Sequence, residues 1–143
     1  AEILKEDAKP AGLTVNIKTM PNSQYWEKWT EVGLGVTVWA HRPLGTMVLN
    51  LAYIADDEGK PVPWNETNWS DKEFGELLEK ANGTLDIEKR RKIFCKLEKI
   101  QQERGSIGIP FWINQWSICG KNVQNLEPHP TMYMYFNDVW LSS

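Results

Sequence analysis

The stretch from Ser70 to Gly105 most restricts what this chain can fold into, because it carries two helical repeats back to back. Ser70 and Glu73 have the spacing of a capping box, and Phe74, Leu77, Leu78 and Ala81 follow at i, i+3, i+4 and i+7. Asp86 is placed to cap a second helix whose apolar stripe is Ile93, Leu97 and Ile100, with Gly105 as its stop. The basic run Lys89-Arg90-Arg91-Lys92 falls in that helix, and Glu88 can pair with Lys92 one turn on. It reads as a solvated outer face.

On either side of this block the period changes to two. Leu13, Val15 and Ile17 alternate with Thr14, Asn16 and Lys18, the pattern of a half-buried strand over 13–20. Pro21-Asn22-Ser23 opens a helix with Tyr25, Trp26 and Trp29 on one face, ended by Gly33 and Gly35. A second strand is expected at Val36–Trp39, and a helix after Pro43 through Leu44, Met47, Val48 and Leu51. The run 56–70, rich in Pro, Asn and Trp, reads as a functional loop. Beyond Gly105, Ile107, Ile109, Phe111 and Ile113 alternate as a buried strand would. Strands interleaved with helices define an α/β class.

Composition narrows function by exclusion. A net charge of -3 lacks the basic footprint of a nucleic-acid binder. No apolar run is long enough for a helical membrane span, and the charged segment 1–10 is unlike a secretory signal. Either the protein is cytoplasmic or this is a piece of a longer chain, and the opening as if within a helix at Glu2–Lys5 favours the second. Cys95 and Cys119 match neither a zinc pattern nor a C-x-x-C redox motif and read as small buried hydrophobes, with a disulfide left open. The N-x-[ST] matches at Asn65, Asn68 and Asn82 are what an Asn-rich loop supplies by chance.

Catalytic patterns are missing. His41 and His129 sit in no recognisable arrangement, and Gly33-Leu34-Gly35 loses the dinucleotide fingerprint at Val38. Asp56, Asp57 and Glu58 read as an exposed acidic turn. The chain is read as a non-enzyme with no cofactor and no metal. Of the eight tryptophans, Trp39 is set apart by its position at the end of an expected strand, with His41 and Arg42 just after it. Ligands in open α/β sheets bind outside the carboxyl ends of strands, and Arg offers a planar fork for an anionic or polar group.

The same residues carry a resemblance. The helix pattern S-x-x-x-F/Y-x-x-L-L-x-x-A is met by Ser70, Phe74, Leu77, Leu78 and Ala81; the next helix supplies Asp86, Arg90 and Ile100. A P-I/V-x-I-P strand is approximated by Ser106–Phe111, with Ser106 replacing the first proline. With GVTVWAHRPLG (35–45) and the closing FNDVWL (136–141), nearly the whole chain resembles the C-terminal region of the family 5 extracellular solute-binding proteins, the dipeptide, oligopeptide and nickel-binding class.

That resemblance implies part of a periplasmic-binding-protein type II fold: residues 1–118 as a partial C-terminal lobe and 119–143 as a segment returning toward the N-terminal lobe. It implies solute capture for the permease subunits of an ABC transporter, in the periplasm or otherwise outside the cytoplasm of a bacterium. Peptide-binding relatives commonly carry an acidic residue three positions after the Trp; here that position is Arg42. The expected ligand is therefore a small anionic or sugar-like solute, such as an opine or a conjugated sugar, with Trp39 as stacking wall and Arg42 as anion clamp. His41 is an extra donor, and Trp64, Asn65 and Trp69 line the cleft. The alternatives are a peptide-binding member of the family, a carbohydrate-binding module, and a fragment of a hydrolase with its catalytic residues elsewhere.

Overall fold

The computed structural model describes residues 1–143, which divide into two units, 1–38 and 39–143. The first unit holds α1 (Glu2–Ala8), a short 3-10 turn, Lys9–Ala11, and α2 (Asn22–Lys28). Pro21, Asn22 and Ser23 do start a helix, but it ends at Lys28, ahead of the two glycines expected to stop it. Tyr25, Trp26 and Trp29 meet edge-to-face, with centroids 5.8 and 5.4 Å apart. The Tyr25 hydroxyl lies 2.6 Å from the Thr37 hydroxyl, joining α2 to the end of the unit.

The second unit contains α3 (Gly45–Ala52), α4 (Lys72–Asn82), α5 (Ile87–Arg104), and the two-residue strands β1 (Val123–Gln124) and β2 (Trp140–Leu141). These strands pair antiparallel, Val123 opposite Leu141 and Gln124 opposite Trp140. The core is the hairpin of α4 and α5, with α3 against α4. Phe74, Leu78 and Ala81 of α4 meet Ile93, Leu97 and Ile100 of α5, and Ala52 and Tyr53 close the cluster from α3. Each large apolar side chain fully withdrawn from water there contributes about 1.5–3 kcal/mol. No helix is long and apolar enough to cross a membrane.

The helix ends follow from local chemistry. Asp86 caps α5 as its sequence predicts, accepting from the Lys89 N–H at 2.8 Å. Helix α4 starts one residue later than the capping box implies. Asp71, not Ser70, is the N-cap, and its carboxylate accepts from the Phe74 N–H at 2.9 Å. The reason is Arg104. Its guanidinium reaches back from the end of α5 to Asp71 and Glu73, at 2.6 Å each. Glu73 is thus turned to the arginine. At Gly105 a β-carbon would strike the Gln101 carbonyl, so only glycine fits this exit from α5. At Gly45 a β-carbon would come within 2.8 Å of the Phe94 ring, so glycine lets α3 approach α5.

The basic run lies on the outer side of α5, with Lys89, Arg91 and Lys92 exposed. Glu88 pairs with Arg91 at 3.1 Å instead of with Lys92. Both cysteines are exposed free thiols, which corrects their reading as buried hydrophobes. The segments expected as strands, 13–20, 36–39 and 107–113, form no ladder. Alternation marks which residues suit a pleated surface; a strand also needs a neighbour to take its backbone hydrogen bonds. Ile109, Phe111 and Ile113 are 59%, 70% and 53% exposed, so the burial expected of this run is absent.

The hydrogen bonds from Arg104, and then that from the Phe74 N–H, favour ionised Asp71 and hold its carboxyl below the ordinary value of 3.8. A lowered folded-state pKa stabilises the fold above the ordinary carboxylate range and loses that contribution as pH falls through the folded value. Asp71→Ala is expected to cost about 1 kcal/mol at neutral pH, the usual loss for an N-cap, read by urea unfolding. As pH falls below the ordinary carboxylate value of 3.8 the gap between variant and parent should narrow; a gap constant with pH would contradict this role.

Candidate functional site

The candidate site is built on the segment 39–44, which leads into α3, and on the loop 54–70. The loop is ordered by its own polar groups. Asp56 accepts from the Glu58 and Lys60 N–H groups at 3.0 and 2.8 Å, and Gly59 turns with φ +79°. Ala55 and Pro61 then form an isolated antiparallel bridge. The acidic turn is structural, as its sequence suggests. Further on, Asn65 is 2% exposed and donates to the carbonyls of Ile54 and Trp69, at 3.1 and 2.7 Å. Its oxygen accepts from the Thr67 hydroxyl at 3.2 Å. A buried side-chain amide with both ends engaged holds the loop closed, and that is the work of Asn65 here.

Closing the loop brings Trp64 and Glu66 to Trp39. The Trp39 indole N–H donates to Glu66 Oε1 at 3.0 Å, and the Trp39 and Trp64 rings meet edge-to-face at 6.1 Å. Trp39 also packs on the helical core, while Trp64 is 47% exposed. One ring is therefore anchored, and the other keeps a face toward solvent. Trp69, from the same loop, faces elsewhere. It stands edge-on to Phe74 at 5.1 Å and donates its indole N–H to the Arg104 carbonyl at 2.9 Å. That carbonyl is among the last four of α5, which have no partner within the helix. Trp69 seals the end of α5 and does not join the Trp39–Trp64 pair.

Arg42 and His41 follow Trp39 directly, and His41 is exposed. Arg42 is half-buried and turns back on its own segment, with Nη1 donating to the carbonyls of His41 and Ala40 at 3.3 and 3.4 Å. These bonds are long and weak for a guanidinium. No carboxylate forms an ion pair with Arg42; Arg104, by contrast, holds two. Beside this segment, a concavity of about 180 Å³ lies between the start of α3 and α5, lined by Pro43, Leu44, Gly45, Thr46, Arg90 and Phe94.

Glu66 and Tyr53 are the residues the sequence did not single out. Neither falls in a periodic pattern; Tyr53 is set in the helical core at the end of α3, and Glu66 lies next to Asn65 in the loop it closes. Tyr53 is 6% exposed, and burial, then the nearby Glu66 carboxylate, pushes its hydroxyl up to about 12. No family model, no curated protein and no solved structure matches this chain.

A raised tyrosine pKa stabilises the fold fully below the ordinary value of 10.0, and that contribution is lost as pH rises through about 12. In an ultraviolet titration Tyr53 should ionise after the other three tyrosines, together with loss of helical circular dichroism. Tyr53→Phe should remove the late absorbance step. A late step that persists in this variant would assign it to another tyrosine.

Proposed function

We propose that the chain is part of the C-terminal lobe of an extracytoplasmic solute-binding protein. In this reading it captures a small solute and delivers it to the permease subunits of an ABC importer. The resemblance described above is the basis for the family. The observation that carries the site is Arg42, a half-buried guanidinium with no carboxylate partner, close in sequence to an indole anchored in the core. A cation held this loosely can be redirected to a carboxylate or another polar acceptor on a solute, where the bidentate geometry of Arg is best used. Trp39 and the exposed face of Trp64 supply the apolar wall, and His41 an adjoining donor.

The concavity beside this segment is smaller than the roughly 300–1,000 Å³ of ordinary small-molecule sites. In the proposed reading the ligand is enclosed between two lobes, and solute contacts favour the closed arrangement. A second reading within the same family is favoured by Glu66. Its carboxylate, at the Trp39 indole, gives the aromatic wall an acidic neighbour, and an acid beside a tryptophan suits the ammonium group of a peptide.

Native mass spectrometry of the full-length protein carrying this chain, purified without refolding, separates the two. An acidic adduct lost on denaturation is expected. Arg42→Ala should then weaken that solute about 10- to 100-fold, the range for losing a charged hydrogen-bond donor, with helical content unchanged. A ladder of peptide masses, sensitive to Glu66→Gln and indifferent to Arg42→Ala, would establish the second reading. The absence of any adduct would count against solute capture.

A further inference from the structure

We infer that the concavity between the start of α3 and α5 binds a small oxyanion, a phosphate or a carboxylate, through the guanidinium of Arg90. Arg90 and Phe94 stand one turn apart on α5, face the same way and form one wall. Pro43, Leu44, Gly45 and Thr46 form the other. The walls stand close because position 45 carries no side chain: a β-carbon there would lie 2.8 Å from the Phe94 ring.

The polar groups of this space are left open by the fold. Within the run 89–92, Arg90 alone is part-buried; Lys89, Arg91 and Lys92 are exposed. Arg91 pairs with Glu88 at 3.1 Å, whereas the Arg90 guanidinium makes no ion pair and no hydrogen bond. Asp86, one turn before Arg90 and so placed to pair with it, instead caps α5 at the Lys89 N–H. The Thr46 hydroxyl is part-buried too, and it has no hydrogen-bond partner. A guanidinium in a partly apolar recess loses water without gaining a carboxylate, and a bound oxyanion supplies the missing acceptor.

The placement of charge along α5 has the same sense. A helix start is stabilised by acidic side chains and disfavours cations. Helix α5 nevertheless carries Lys89, Arg90, Arg91 and Lys92 within its first two turns, and of these Arg91 alone has a carboxylate partner. A local rule broken with no gain to the fold is expected where a residue serves a ligand. Size then sets the class. At about 180 Å³ the space is smaller than the roughly 300–1,000 Å³ of sites for drug-sized molecules, so it suits an ion of a few heavy atoms and not a nucleotide. Neither Trp39 nor Arg42 lines it, so the inference stands apart from the solute-binding reading.

Amide chemical shifts of the 143-residue chain test it, followed by nuclear magnetic resonance during titration with inorganic phosphate and, separately, acetate at fixed ionic strength. Saturable shifts centred on Gly45, Thr46 and Phe94 are expected with at least one of them, and the tighter binder assigns the anion as phosphate or carboxylate. Arg90→Gln should weaken that anion about tenfold or more, the loss of a charged donor. Arg91→Gln removes the same charge from the same helix outside the concavity and should change affinity by about threefold at most. Arg42→Ala should leave it unchanged. All three variants should keep the parent's circular dichroism, since none of these side chains belongs to the buried cluster. No saturable shift with either anion, or a dissociation constant indifferent to Arg90→Gln, would overturn the inference. Equal losses in Arg90→Gln and Arg91→Gln would also overturn it, assigning the binding to the diffuse charge of α5. So would a loss in Arg42→Ala as large as that in Arg90→Gln, which would move the anion to the segment after Trp39.

Discussion

Helices α4 and α5 hold each other in place through Phe74, Leu78 and Leu97, the largest fully buried side chains of the chain. Helix α4, at 11 residues, is too short to persist alone in water and depends on packing against α5. Their apolar stripes cover each other, and the Arg104 guanidinium ties the end of one to the start of the other through Asp71 and Glu73. Two carboxylates around one guanidinium favour its charged state, and the N-cap bond of Asp71 adds a helix start to the same cluster. The cluster is exposed, so its contribution is in geometry more than energy: it fixes the register at which the stripes meet.

The loop depends on that register. Trp69 reaches the Arg104 carbonyl only because α5 ends there, and Asn65 binds the Trp69 carbonyl in turn. Asn65 also binds Ile54, just past α3, so one buried amide links α3 to the end of α5. Trp64 and Glu66 flank Asn65 in sequence and are carried to Trp39 by this closure. The candidate site is thus a consequence of helix packing transmitted through a chain of backbone carbonyls.

The parts legible in the sequence are those with a local cause. The stripes of α4 and α5, the Asp86 cap, the stop at Gly105 and the solvated basic face all arise within one or two helical turns. The misplaced cap at Ser70 shows where locality fails: two adjacent residues can both cap, and an arginine 33 positions away decides between them. The expected strands fail for the same reason on a larger scale, because Ile107–Ile113 records a preference for a pleated surface and says nothing of which chain supplies the neighbour. Of the site residues, Trp39 and Arg42 stood out by type and position. Asn65 and Trp69 lie in the irregular loop expected for them, but their side chains bond within the fold, which only their partners reveal. Glu66 left no signal at all.

The charge that a ligand would meet turns on the contrast between Arg42 and Glu66. Glu66 already accepts a hydrogen bond from Trp39, and its field reaches Tyr53, whose neutral hydroxyl it helps to preserve. Its negative charge is therefore woven into the packing, and a solute ammonium would compete with an indole for it. Arg42 faces no such competition, since two long bonds to neighbouring carbonyls are all it gives up. A group that loses weak bonds and gains a bidentate pair has a larger net gain on binding than one that exchanges good bonds for good bonds. If the segment after Trp39 does hold a solute, that difference favours an anionic or polar one over a cationic one, even though a carboxylate lies closer to the ring.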